Sequence, residues 1–165
     1  MKKALLILVL ILAFSATAQA QPPLPTGATV KVFRDTTEKV TFIPVNTVSA
    51  GPFMKVYHLS LDLLPTDIVM LFGQFEVTND TGQDVGVGRY IQRDENFRVN
   101  PAVMDNVDPI RHHLAPVLYA IDDSHGGGLH DYRLIVYAAT THAKPTDKLR
   151  LEQGYGHLIA VVISQ

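Results

Sequence analysis

The side chains best suited to chemistry in this sequence are its seven histidines: His58, His112, His113, His125, His130, His142 and His157. The chain has no cysteine, so zinc sites built on thiolate are excluded, whereas imidazole and carboxylate ligation is not. The densest grouping is Asp122, Asp123, His125, His130 and Asp131 around Gly126-Gly127-Gly128. Carboxylates, two imidazoles and glycine carbonyls are donors for a divalent cation such as calcium or zinc. The spacing matches no EF-hand loop. Asp-Asp-Ser followed by three glycines also makes an ordinary hairpin loop. The cofactor expectation is therefore none, with a divalent metal at this loop as the alternative.

A second grouping is His112, His113 and His142, with Arg111 adjacent. Consecutive strand residues point to opposite faces, so His112 and His113 cannot both face one metal from within a strand. A symmetric trimer would repeat one such histidine three times about its axis. His157 shares an apolar alternation with Tyr155, Ile159, Val161 and Ile163, and reads as a packed core histidine. His58, between Val56 and Ser60 on its face, reads the same way.

No pattern names a reaction, so no catalytic residue is predicted. Asp94 and Glu95 are consecutive and poorly placed for paired acid and base work. A nucleophile elbow, a P-loop, an H-E-x-x-H helix and a dinucleotide fingerprint are all missing. Tryptophan, the usual sugar platform, is absent. Asn79-Asp80-Thr81 fits the N-glycosylation sequon. Gly86 and Gly88, inside a strand pattern, signal close approach of another group to the backbone.

The elements that position these residues have period two. Apolar alternation or short β-branched runs mark strands at Val30–Phe33, Val40–Val45, Met54–Leu61, Ile68–Thr78, Val85–Ile91, Leu114–Ile121, His130–Ala139, Lys148–Glu152 and Tyr155–Ser164. Asn79-Asp80-Thr81-Gly82 has turn chemistry, which predicts a hairpin over Ile68–Ile91. Pairing Leu114–Ile121 with His130–Ala139 would place His112 and His113 near His142 and leave His130 roughly 25 Å away. Residues 92–111 are the irregular part, and Pro116 marks an edge or bulge. About nine short strands with one long irregular crossing predict an all-β antiparallel sandwich, jelly-roll-like, with an immunoglobulin-like sandwich as the alternative.

The N-terminus predicts export. Lys2 and Lys3 precede an apolar run from Ala4 to Phe14, and Ala18-Gln19-Ala20 is a signal-peptidase site. The run is too short for the roughly 20 residues of a bilayer span. The organisation expected is a signal peptide at 1–20, a Pro-rich lead-in at 21–29 and one β-sandwich domain at 30–165, secreted or periplasmic. Without Lys2 and Lys3, 12 basic side chains face 16 acidic ones, which leaves no footprint for nucleic acid or for a membrane surface.

Strands apolar on both faces, such as 68–72 and 158–163, leave apolar surface that a two-layer sandwich does not bury by itself. The expectation is a homo-oligomer, for instance a trimer. The function expected is a non-enzymatic module acting by binding, to a polysaccharide or a protein, or by self-assembly. A metal-binding or metal-dependent hydrolytic protein using the 122–131 loop is the alternative.

Overall fold

The computed structural model describes residues 27–37, 40–47, 52–110 and 113–164. The expected signal peptide, most of the lead-in, Arg111 and His112 lie outside them. The described residues form strands and no helix: β1 (Thr29–Asp35), β2 (Phe42–Asn46), β3 (Met54–Leu63), β4 (Ile68–Gln74), β5 (Val77–Thr78), β6 (Val85–Arg93), β7 (Phe97–Arg98), β8 (Val103–Val107), β9 (His113–Leu114), β10 (Val117–Asp122), β11 (Gly128–Ala139), β12 (Lys148–Leu151) and β13 (His157–Ser164).

Eight of these strands nest like one long hairpin rolled up. β1 pairs with β13, β3 with β11, β4 with β10 and β6 with β8, all antiparallel. β13 also pairs with β4, and β11 with β6, which closes two sheets. The first sheet has the order β1-β13-β4-β10. The second carries β3, β11, β6 and β8, with β7 beside β6 and the short ladder β2-β12-β5-β9 appended to β11. This nesting is the jelly-roll arrangement of a β-sandwich, so the expected fold class holds.

Period two sets the packing. Val69 and Leu71 of β4, Leu118 and Ala120 of β10, and Leu158, Ala160 and Val162 of β13 point inward. They meet Tyr57, Leu61, Val87, Ile91, Tyr132, Leu134 and Val136 of the second sheet in one apolar cluster. β3 shifts register against β11 between Leu134 and Ile135, so Val56 and Tyr57 are both buried although they are consecutive.

Three expectations about pairing need correction. Ile68–Ile91 is not a hairpin, because β4 and β6 lie in different sheets. Asn79–Gly82 is a turn between β5 and β6, both in the second sheet, and the chain has already crossed between the layers at Phe75-Glu76. Leu114–Ile121 does not pair with His130–Ala139. Pro116 breaks that segment into β9, which pairs with β5, and β10, which joins β4 in the first sheet. In a jelly roll the chain passes from sheet to sheet at such points, so sequence neighbours are not spatial partners. The irregular stretch 92–111 also contains a ladder strand, β8, whose only apolar signal is Val103, Met104 and Val107.

Candidate functional site

The end of the sandwich where β6, β10 and β11 meet contains a buried charged group. Asp122 ends β10 with its side chain inward, in step with Leu118 and Ala120. Arg93 ends β6 in step with Val87 and Ile91. Arg93 Nη1 donates to both Asp122 oxygens, at 2.9 and 2.8 Å, and Tyr132 Oη donates to the same carboxylate at 2.8 Å. Ser124 adds its backbone N–H and its hydroxyl at 3.2 Å. Burial, then the Asp122 carboxylate, pushes the Tyr132 phenol well above its ordinary value. Every partner here holds the ion pair, which ties the first sheet to the second. The signal in the sequence was the parity: each charge continues a run of inward apolar residues, so each needed a buried partner.

The other members of the predicted metal grouping are held apart. Asp123 is exposed. His125 is buried, with Nε2 2.9 Å from the Asp67 carbonyl oxygen and Nδ1 accepting the Gly127 N–H at 3.1 Å, so Nε2 carries the proton and donates. His130 Nδ1 lies 2.9 Å from Asp94 Oδ2, and its Nε2 lies 3.0 Å from the Gly127 carbonyl oxygen. The His125 and His130 rings are 5.7 Å apart, centroid to centroid, each turned to its own partners. Asp94 has φ of 54°, a left-handed conformation that aspartate tolerates, and its other oxygen accepts the Asp131 N–H at 3.0 Å. Burial pushes its carboxyl up, but the hydrogen bonds from Asp131 and His130 outweigh this and leave it below the ordinary value. Among the described residues no three His, Asp or Glu side chains are placed to hold a metal ion.

Asp131 points the other way, onto the outer face of the second sheet. There it meets Ser60 and His58 of β3. Ser60 Oγ donates to Asp131 Oδ1 at 2.6 Å, and His58 Nε2 lies 3.0 Å from the same oxygen. The three residue types of a nucleophilic triad are present in the wrong order. In a triad the imidazole stands between serine and carboxylate. Here the carboxylate accepts the serine hydroxyl's hydrogen bond directly, and the Ser60–His58 contact is 3.4 Å. The Ser60 and His58 hydrogen bonds hold the Asp131 carboxyl down at about 2, which makes it a poor base. His58 is therefore a surface-network residue and not a core one.

The second histidine grouping does not assemble as the hairpin model required. His113 sits on β9 with Nδ1 3.1 Å from Thr78 Oγ1 and 3.4 Å from Glu76 Oε1. Thr78 donates its hydroxyl to Glu152. His142 is exposed beyond the end of β11, whose Ala138 and Ala139 pair with β2 and β6. Clefts of about 220 and 450 Å³ flank the Phe42 ring, and neither is lined by a histidine. Asn79 of the sequon is buried, and its Nδ2 donates to the carbonyls of Gln83 and Val107 at 2.9 and 2.7 Å, so it is a turn brace and not a free glycan acceptor.

The outer face of the first sheet is of another kind. Its cross-strand rows read Val30–Ile163–Ile68, Val32–Val161–Met70–Ile121 and Arg34–Ile159–Phe72–Tyr119, then His157–Gln74–Val117. Val32 is 66 % exposed and Tyr119 74 %. Arg34, Gln74 and His157 lie toward one end, and the rest is apolar. His157 thus lies on an exterior face, not in the core as expected. Burial by its neighbours, then Arg34, lowers its pKa.

No family model and no curated protein matches the chain. Among solved structures it is similar to the "Structure of infectious bursal disease virus Gx strain", at 11 % identity and TM-score 0.48. It is also similar to the "Crystal structure of infectious bursal disease virus VP2 subviral particle", at 10 % identity and TM-score 0.46. Each alignment covers 82 % of this chain and 32 % of the viral chain, so the sequence spans about a third of the proteins it resembles.

Proposed function

We propose that the mature chain is an exported, non-enzymatic β-sandwich subunit that assembles with copies of itself through the apolar outer face of its first sheet. The observation that carries this is the set of cross-strand rows just described. Four strands about 4.8 Å apart and about seven residues long at about 3.3 Å each give a face of roughly 450 Å², apolar except at the end that holds Arg34, Gln74 and His157. That is the size of the largest patch on an ordinary monomer, and such patches mark interaction sites. Stacking two such faces removes up to ~900 Å² from water, or at most roughly 20 kcal/mol gross at about 25 cal/mol per Å² of apolar area. The freedom lost on association costs roughly 4–15 kcal/mol.

A second copy fits this face better than a polysaccharide does. Sugar hydroxyls need hydrogen-bonding side chains, and the centre of the face offers only alkyl groups, a thioether and a Phe72 ring. The chemistry elsewhere supports a non-catalytic role: the Ser60 and Thr78 hydroxyls both donate hydrogen bonds to carboxylates that hold them in place.

Sedimentation of residues 21–165 tests the proposal. The wild type is expected to be oligomeric. Val161→Lys, which places a charge in the middle of the face, is expected to yield a smaller species with an unchanged β-type circular dichroism spectrum. A monomeric wild type, or a Val161→Lys variant that sediments like wild type, would overturn it.

A further inference from the structure

We propose that β10 forms a second self-contact, in which its open edge pairs antiparallel with β10 of another copy across a two-fold axis normal to the sheet. This rests on the self-assembly reading and adds a distinct contact to it. The two edges of the first sheet are built differently. On β1, Lys31 points inward at mid-strand, level with Val162, and Arg34 and Asp35 follow. Inward charges on an edge strand block the approach of another strand. β10 has no such guard at mid-strand: its one charge, Asp122, ends the strand and is tied inward to Arg93. Among the described residues β10 pairs only with β4, its register runs unbroken for six residue pairs, and Val117–Ile121 contains neither a charge nor a proline.

An edge of this kind leaves a row of backbone N–H and C=O groups that only another strand can satisfy in register. β10 is its own complement, because antiparallel pairing about a two-fold axis is isologous. An axis normal to the sheet keeps both outer faces on one side. The joined eight-stranded sheet then presents one continuous apolar face, still free to stack on another. Edge pairing and face stacking together generate a closed tetramer of two-fold contacts.

The absence of cysteine makes a direct experiment available, since every introduced thiol is the only one. Pairing centred on β10 puts either Tyr119 opposite its own copy or Tyr119 opposite Ile121 of the other. Tyr119→Cys alone and Tyr119→Cys with Ile121→Cys cover both registers, because directly opposed Cβ atoms are roughly 4.5–5.5 Å apart. The thiols are placed in the Val161→Lys background, so that face stacking cannot bring them together. One of the two β10 variants is expected to form a disulfide-linked dimer under mild oxidation, whereas a Val32→Cys control on β1 stays reduced. If the wild type is oligomeric but both β10 variants stay reduced, edge pairing is wrong and face assembly stands. Cross-linking at Val32 instead would assign the contact to β1 and overturn the proposal. A monomeric wild type removes both contacts.

Discussion

The two outer faces of this sandwich are made of similar strands and solve opposite problems. On the second sheet the polar side chains at one end form a network: Asp131 holds Ser60 and His58, and Arg133 donates to Asp131 and to the Asp94 carbonyl. The apolar half of that face is roofed over. Tyr137 lies across Gly88, and Phe53 packs edge-on against Tyr90 and Tyr137, at 6.2 and 5.2 Å between centroids. Among the described residues the first sheet has no such roof and no such network, and its face of alternating Val, Ile, Met and Phe is left open. On the self-assembly proposal, the difference separates residues that stabilise the fold from residues that would assemble it.

That separation can be broken from either side, and the largest effect should appear in neither face. Asp122→Ala strands Arg93 without its carboxylate between the layers. Removing one partner of a buried pair costs about 3–5 kcal/mol. Urea unfolding should show a loss of that size. If the variant still folds, its assembly should match wild type, because Asp122 touches no outer surface. A loss below about 1 kcal/mol would mean that the ion pair is not the tie between the sheets. Next in size is Gly88→Ala on the roofed face. A Cβ there collides with the Tyr137 ring, and overpacking of this kind costs about 1–3 kcal/mol. The expected signature is lower stability with unchanged sedimentation. A change in oligomeric size from Gly88→Ala would show that the roofed face also takes part in assembly, and the contrast would fail.

Much of the fold was legible because alternation reports which residues face a layer interface. Leu149 and Leu151, inward in β12, and the central place of β13 follow from the sequence pattern alone. Alternation does not report which strand lies beside which. It could not show that β4 neighbours β10 and β13, whose partners come from about 45 and 90 residues further along the chain. The candidate site suffered for the same reason. Asp122, Asp123, His125, His130 and Asp131 look like one cluster only while the segment is treated as a simple hairpin. Once β10 and β11 part to different sheets, Asp122 turns to Arg93, His130 to Asp94 and Asp131 to Ser60. The need for cover on residues 68–72 and 158–163 was visible, because apolar residues on both faces of a strand are legible without any pairing.

The smallest expected effects are set by pH, and they distinguish the faces by where they occur. His157 lies on the bare face, and its pKa is lowered from 6.5 by burial and by Arg34. The folded ring therefore holds its proton less well than the unfolded one. Stability is full above pH 6.5 and declines as pH falls through that value toward the folded pKa. Protonation also sets a charge on the apolar face, so assembly should weaken in the same window. Asp131 lies on the networked face, with its carboxyl lowered from 3.8 to about 2. Its contribution is present above pH 3.8 and is lost as pH falls toward 2. It should leave assembly untouched until the protein itself unfolds. Sedimentation and denaturant midpoints measured together from neutral pH downward check both limbs. His157→Gln should flatten the upper one in both readouts, and Asp131→Asn the lower one in stability alone. If oligomer size proves insensitive to pH until the acid limb, His157 is not at a contact, and the first sheet's outer face loses its claim to be the assembling surface.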